Sequence, residues 1–302
     1  MMNIIDFSPK HDTLIRYKDG TLLPMDVPHY EATQLNEDTW QIMSSGDYHY
    51  LLAGEELGVS IDTGYGAGNL REYLEQLCQK PVPWVINTHH HFDHSANNFY
   101  FDMAYMGEEA LTRASIPYPS FDGITFPAPD YPKTVVGDGD IIPLKGRELE
   151  IFRIGDHTED GIAILDRKYR MLFIGDEIMP HGKTLNGSLR KWKDSLEKLM
   201  ARRGDFDTIY CGGAGKVADG CLEIFYEAAC KALAGEELEA PEKDEAPMPP
   251  MEAEYDDQGH EIYDCQRPHI EDIPKDGFFR VNPNMVDFVY KGYEFSYDKL
   301  LV

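Results

Sequence analysis

Between Asn87 and Asn98 the chain reads NTHHHFDHSANN, so four of its eleven histidines and Asp93 fall within the six residues His89–His94. Imidazole and carboxylate together suit a borderline divalent cation such as zinc, and also iron or manganese. One loop cannot surround an ion, so the fold must bring ligands from other segments to the same place. The cluster follows directly on PVPWVIN, which reads as a short buried strand entered through Pro81 and Pro83. Two other segments share that context. RIGDHTEDG places His157 in a turn at the end of the strand LEIFRI, and MLFIGDEI places Asp176 at the end of RMLFIG. Side chains on loops held by rigid strand ends are a common place for chemistry.

The rest of the pattern predicts a layered α/β chain. From about residue 33 to 62, TWQIM, YHYLLA and GVSID alternate with SSGD and GEEL, an antiparallel meander with Gly-, Asp- and Ser-rich turns. LREYLEQLCQ puts Leu70, Leu74, Leu77 and Cys78 on one helical face. After a Pro- and Gly-rich loop come the strands TVV, DIIPL, LEIFRI, GIAILD and RMLFIGD. The amphipathic helices SLRKWKDSLEKLM and ADGCLEIFYEAACKALAG flank DFDTIYCGGAGKV, a short strand running into a glycine loop. Strands and helices alternate twice, which implies two packed sheets with helices outside. From Gly235 the chain turns acidic and Pro-rich, then aromatic. It divides as 1–234, a layered domain that holds the histidine cluster, and 235–302, a solvated arm with a tail read as final strands over the core or as a lid.

Composition narrows the function classes. The formal net charge of −26 repels phosphate backbones and anionic membranes, so nucleic acid is excluded as a partner. No apolar run approaches the roughly 20 residues a membrane span needs. The opening MMNIIDFSPKHD has no basic segment, apolar stretch or small-residue cleavage site, and the five cysteines form no CxxC. A reduced, cytoplasmic chain is expected, acting on a small molecule, with a homodimer through the C-terminal tail as a further expectation.

THHHFDH resembles the HxHxDH signature of the metallo-β-lactamase superfamily, in the THHHxDH form of its glyoxalase II-like members. SIDTG (Ser60–Gly64), GDHTEDG and LFIGDEI are similar to three further motifs of that family, in the same order. The resemblance covers residues from about 33 to 234 and implies a four-layer αββα sandwich. It implies one or two Zn2+ per chain, with Fe or Mn as alternatives. His89, His91 and His157 would form the first metal position. Asp93 and His94 would serve the second, with Asp176 between the two. His90 occupies a non-ligand position, and Asp62 would orient the histidine loop.

The sequence departs from that family at the turn that usually supplies one more histidine. Here the turn is YCGGAGKV, and the matching residue is Gly213 or Ala214. Neither binds a metal. His181 is a possible substitute or a surface histidine, His260 and His269 are more remote candidates, and Cys211 reads as a buried small hydrophobe. The expected reaction is attack of a metal-bound hydroxide on an ester, lactone or thioester carbonyl, with Asp93 moving protons. Two alternatives stay open. One is a mononuclear iron dioxygenase of the persulfide dioxygenase type, its iron held by His89, His157 and Asp176. The other is a degenerate, non-catalytic member.

Overall fold

The computed structural model describes residues 5–44, 47–64, 66–113, 121, 123–126, 131–241, 254–264 and 283–302. Strands β1 (Thr13–Arg16) and β2 (Leu22–Pro24) open the chain. The predicted meander follows as β3 (Glu31–Asn36), β4 (Thr39–Ser44), β5 (Asp47–Ala53) and β6 (Gly58–Ile61), each antiparallel to the one before. Helix α1 (Leu70–Cys78) starts where the Asn69 side chain accepts the Glu72 N–H, and it buries Leu70 and Leu74. It returns the chain to β7 (Trp84–Ile86), parallel to β6. The one-turn helix α2 (Phe92–Ser95), β8 (Met103–Met106) and β9 (Lys133–Val135) complete a seven-stranded sheet in the order β3-β4-β5-β6-β7-β8-β9.

The second half repeats the plan. Strands β10 (Ile141–Pro143), β11 (Glu148–Arg153), β12 (Ile162–Asp166) and β13 (Met171–Phe173) run antiparallel in turn. Then come β14 (Gly182–Thr184), α3 (Leu189–Ala201), β15 (Thr208–Cys211), β16 (Gly215–Lys216) and α4 (Cys221–Ala234). The second sheet has six strands in the order β10-β11-β12-β13-β15-β16. Beyond it lie β17 (Glu254–Tyr255), β18 (Glu261–Asp264), β19 (Met285–Tyr290) and β20 (Tyr293–Asp298).

Period-2 alternation sorts the apolar side chains into three cores and fixes the layer order. Tyr50, Leu52, Val59 and Ile61 of the first sheet pack on Ile151, Ile162, Ile164 and Phe173 of the second. Their strand neighbours face outward: Leu51 and Val85 meet Leu70 and Leu74 of α1. On the far side Ala163, Leu165 and Leu172 lie under Trp192, Leu196, Leu222 and Phe225 of α3 and α4. The result is the predicted helix–sheet–sheet–helix sandwich.

Two findings alter the reading of the ends. Residues 254–264, taken above as part of a solvated arm, contain β17 and β18, and β18 lies parallel to β1 in a four-stranded sheet with β2. That pairing partner is almost 250 positions away, so nothing local signals it. The aromatic tail forms the β19–β20 hairpin, which adds to β14 and seats Phe295 against Trp192 and Phe225. The described tail therefore covers the core. No described helix is long and apolar enough to cross a membrane.

Candidate metal centre

Strands β6, β7, β11, β13 and β15 all end at the same edge of the sandwich. Asp62, the His89–His94 segment, His157, Asp176 and the Gly212–Ala214 turn leave from those ends. The histidine loop is fixed by Asp62, whose backbone is in the left-handed region at φ 58°. Its carboxylate accepts the Thr88 N–H and the Thr88 hydroxyl, both at 2.7 Å, and His94 Nδ1–H at 2.9 Å. The Asn87 side-chain amide donates to the His94 carbonyl at 2.8 Å. On the other sheet Gly175 must be glycine, because a Cβ there would lie 2.5 Å from Thr88 Oγ1. That close approach sets Asp176 beside His94.

The His157 loop rests on a buried ionic group. Glu177 accepts the Asp156 and His157 N–H groups at 3.2 and 3.0 Å, and Asp156 accepts those of Asn186 and Gly187. Lys183 lies between the two carboxylates, 3.4 Å from Asp156 and 3.6 Å from Glu177. No motif in the sequence announces this arrangement.

The expected residues come together. His89, His91 and His157 offer ring nitrogens within 4.8 Å of one another, and so do His89, His94 and Asp176 with their donor atoms. His94 Nε2 is 3.3 Å from Asp93 Oδ2 and 3.3 Å from Asp176 Oδ2. His89 thus belongs to both groups, whereas the sequence placed it on one side only. Its ring centroid is 4.1 Å from that of His94, which lies within α2, and 4.6 Å from that of His91, which precedes it. His90 turns away and pairs with Asp160 at 2.7 Å.

The other histidines stand apart from these groups. His181 is exposed on its loop, and His260 bonds Asp256 at 2.8 Å beside β18. His269 lies outside the described residues. Cys211 is buried, and burial pushes its thiol up to about 12, so it packs as a hydrophobe.

The donor atoms suit a divalent ion. His89 Nε2, His94 Nε2, Asp93 Oδ1 and Asp176 Oδ1 are buried without a hydrogen-bond partner among the described residues, a costly arrangement unless a cation serves them. Burial holds the His89 imidazole well below its usual pKa, and it takes His157 down to about 4 against the opposing pull of Asp176. Both are therefore neutral and able to ligate. Burial alone would lower His94, but Asp93, Asp176 and Asp62 outweigh it and raise that imidazole well above the usual value. In the same way His94 overcomes the burial of Asp93 and Asp176 and holds both carboxylates ionised. Asp62→Ala removes the anchor of Thr88 and His94, and zinc affinity is expected to fall about 10- to 100-fold. Competition with a chromogenic chelator measures this, and an unchanged constant would assign Asp62 to folding alone.

Beside this centre His49 is 1% exposed, and neither ring nitrogen has a partner among the described residues. Burial, aided by His94, takes its pKa down to about 3. A histidine depressed below its unfolded value of about 6.5 stabilises the fold above that value and loses its contribution as the pH falls. Between pH 6.5 and 5.5 the stability of the metal-stripped chain is expected to fall by roughly 1 kcal/mol on account of His49. The variant His49→Phe should show a correspondingly shallower slope in urea melts. Equal slopes would mean that water reaches the wild-type ring.

A cleft of about 890 Å3 opens beside His91 and His157, lined also by Arg113, Arg153, Asn186, Lys191 and Leu301. Arg113 and Arg153 pair with Glu159 and Glu109, whereas Lys191 makes no ion pair among the described residues.

Comparison with known proteins agrees with this geometry. The family model described as the metallo-beta-lactamase superfamily matches residues 49–213. The chain is 29% identical over 178 residues to the acyl-coenzyme A thioesterase MBLAC2 of Homo sapiens, covering 47% of this chain and 60% of that protein. It is 29% identical over 133 residues to a hydroxyacylglutathione hydrolase of Rhodospirillum rubrum, covering 43% of this chain and 48% of that protein. The chain therefore spans less than two thirds of these relatives. The mono-zinc form of the metallo-beta-lactamase FIM-1 from Pseudomonas aeruginosa superposes with a TM-score of 0.52 at 19% identity, over 69% of this chain and 98% of that one.

Proposed function

The chain belongs to the metallo-beta-lactamase superfamily, and from that premise we propose that it is a metal-dependent hydrolase of small-molecule thioesters. The observation that carries the reading is the pair of donor groups sharing His89, of which His91 and His157 line an open cleft. The names of the two relatives both describe acyl groups carried by a thiol-bearing molecule, coenzyme A or glutathione. Those carriers are anionic, and Lys191 lines the cleft as a cation without an ion-pair partner among the described residues, whereas Arg113 and Arg153 there are paired with Glu159 and Glu109.

Zinc is the ion this donor set favours, one or two per chain, held by His89, His91 and His157 and by Asp93, His94 and Asp176. When bound, it supplies Lewis acidity and a water acidified to near neutral pH. The chain's own residues do the rest. Asp93, kept ionised by His94, accepts a hydrogen bond from the attacking water and orients it. As water adds to the carbonyl carbon it gives a proton to Asp93, the carbon–sulfur bond breaks, and Asp93 passes that proton to the departing thiolate, leaving acid and thiol. Lys191, on the cleft wall, holds the anionic carrier.

The test is hydrolysis of an acyl-coenzyme A series and of lactoylglutathione, read as free thiol, against matched oxygen esters and a lactone. Thioesters are expected to lead in kcat/KM by at least about tenfold. Oxygen esters or lactones cleaved equally well would refute the assignment while leaving a metallo-hydrolase.

A further inference from the structure

The second donor group has an open side. Asp93, His94 and Asp176 converge on it, but the turn after β15 offers no ligand, since Gly212, Gly213 and Ala214 carry no donor side chain. Gly212 fills the space instead: a Cβ there would lie 2.5 Å from Asp176 Oδ1 and 2.7 Å from His94 Cε1. Directly against Gly212 runs the start of β5, where the Tyr48 N–H donates to the Gly212 carbonyl at 2.8 Å. Asp47 is the residue before it, the first of the strand, and it is half-buried. The charged groups that act on it most strongly are Asp93, His94, Asp176 and Asp62.

We propose that Asp47 is the carboxylate that completes the second metal position, in place of a ligand from the turn after β15. This rests on the reading of the centre as a metal site. The physical reason is charge. The carboxylates of Asp62, Asp93 and Asp176 lie 2.9, 3.3 and 3.3 Å from one imidazole, His94, and Asp47 starts the strand that runs against Gly212 beside them, so the group gathers more carboxylates than cations in a region where Asp93 and His94 are more than nine-tenths buried. Like charges gathered this way repel unless a cation lies among them. The buried, unpartnered atoms His94 Nε2, Asp93 Oδ1 and Asp176 Oδ1 mark where that cation belongs. A hard carboxylate in place of an imidazole also shifts the set toward oxygen. Manganese should therefore compete better at the second position than at the first.

The experiment strips the full chain with a chelator and titrates it with zinc, reading free metal with a chromogenic chelator and heat by calorimetry. Wild type is expected to bind two zinc ions per chain. Asp47→Asn and Asp47→Ala should bind the tighter ion with an unchanged constant and the second at least about tenfold more weakly. Urea melts of the metal-stripped variants establish that the fold is retained. Two zinc ions bound with wild-type constants in both variants would overturn the assignment. So would a single zinc in wild type, or equal weakening of both ions. A wild type that binds no zinc would instead overturn the metal-centre reading on which this one stands.

Discussion

Replacing His89 with alanine is expected to abolish hydrolysis, with kcat/KM falling at least about 10^3-fold and metal content falling with it. The reason is positional. His89 is the one side chain present in both donor groups, so its loss weakens both positions together. Metal ions supply several kcal/mol of charge stabilisation in such reactions, and each 1.36 kcal/mol is a factor of ten in rate. His90→Ala is the matched control. His90 is the adjacent residue and carries the same ring, but it is turned toward Asp160. Its replacement should leave zinc content near wild type. Activity and elemental analysis on the two variants decide the matter. His89→Ala with zinc and activity within tenfold of wild type would mean that the histidine cluster is not the catalytic centre.

The legibility of this centre follows from how its residues are fixed. His89, His91, Asp93 and His94 share one short loop, so their spacing in the chain is nearly their spacing in space. His157 and Asp176 were readable because each ends an apolar strand, and strand ends in one layered fold meet at one edge. Asp47 was not readable in that way. It stands in SSGD, where an aspartate is an ordinary turn former, and only the antiparallel return of β5 beside the β15 turn brings it to the centre. The Asp156–Lys183–Glu177 group escaped for a related reason. Asp156 stands more than twenty positions before Glu177 and Lys183, and all three look like solvated surface until β14 folds over the His157 loop. The apolar periodicity that gave the four layers is blind to both cases, because it reports which face of an element is buried and not which polar groups share the burial.

Asp166→Ala is expected to cost about 3–5 kcal/mol of folding stability while leaving catalysis by the folded fraction unchanged. Asp166 ends β12, and its carboxylate accepts from Arg147 at 2.6 Å, with both side chains fully buried. The guanidinium also donates to Thr39 Oγ1 at 2.6 Å and to the Asp38 and Ala53 carbonyls at 2.7 and 3.1 Å. Arg147 thereby ties the β10–β11 turn of one sheet to the start of β4 and the end of β5 in the other. Removing its counter-charge strands a cation between the sheets, and an uncompensated buried charge costs far more than the pair contributes. The double variant Arg147→Leu/Asp166→Leu should therefore be less destabilised than Asp166→Ala alone, since it removes both charges. Urea melts give the comparison, and kcat measured well below the melting transition checks the separation. β5 begins at the metal centre with Asp47 and ends at this ion pair with Ala53, so the two ends of one strand serve different tasks. A loss below about 1 kcal/mol in Asp166→Ala would mean that water already reaches the pair. A fall in kcat at full occupancy of the fold would mean that the two sheets pass strain along β5 to the centre.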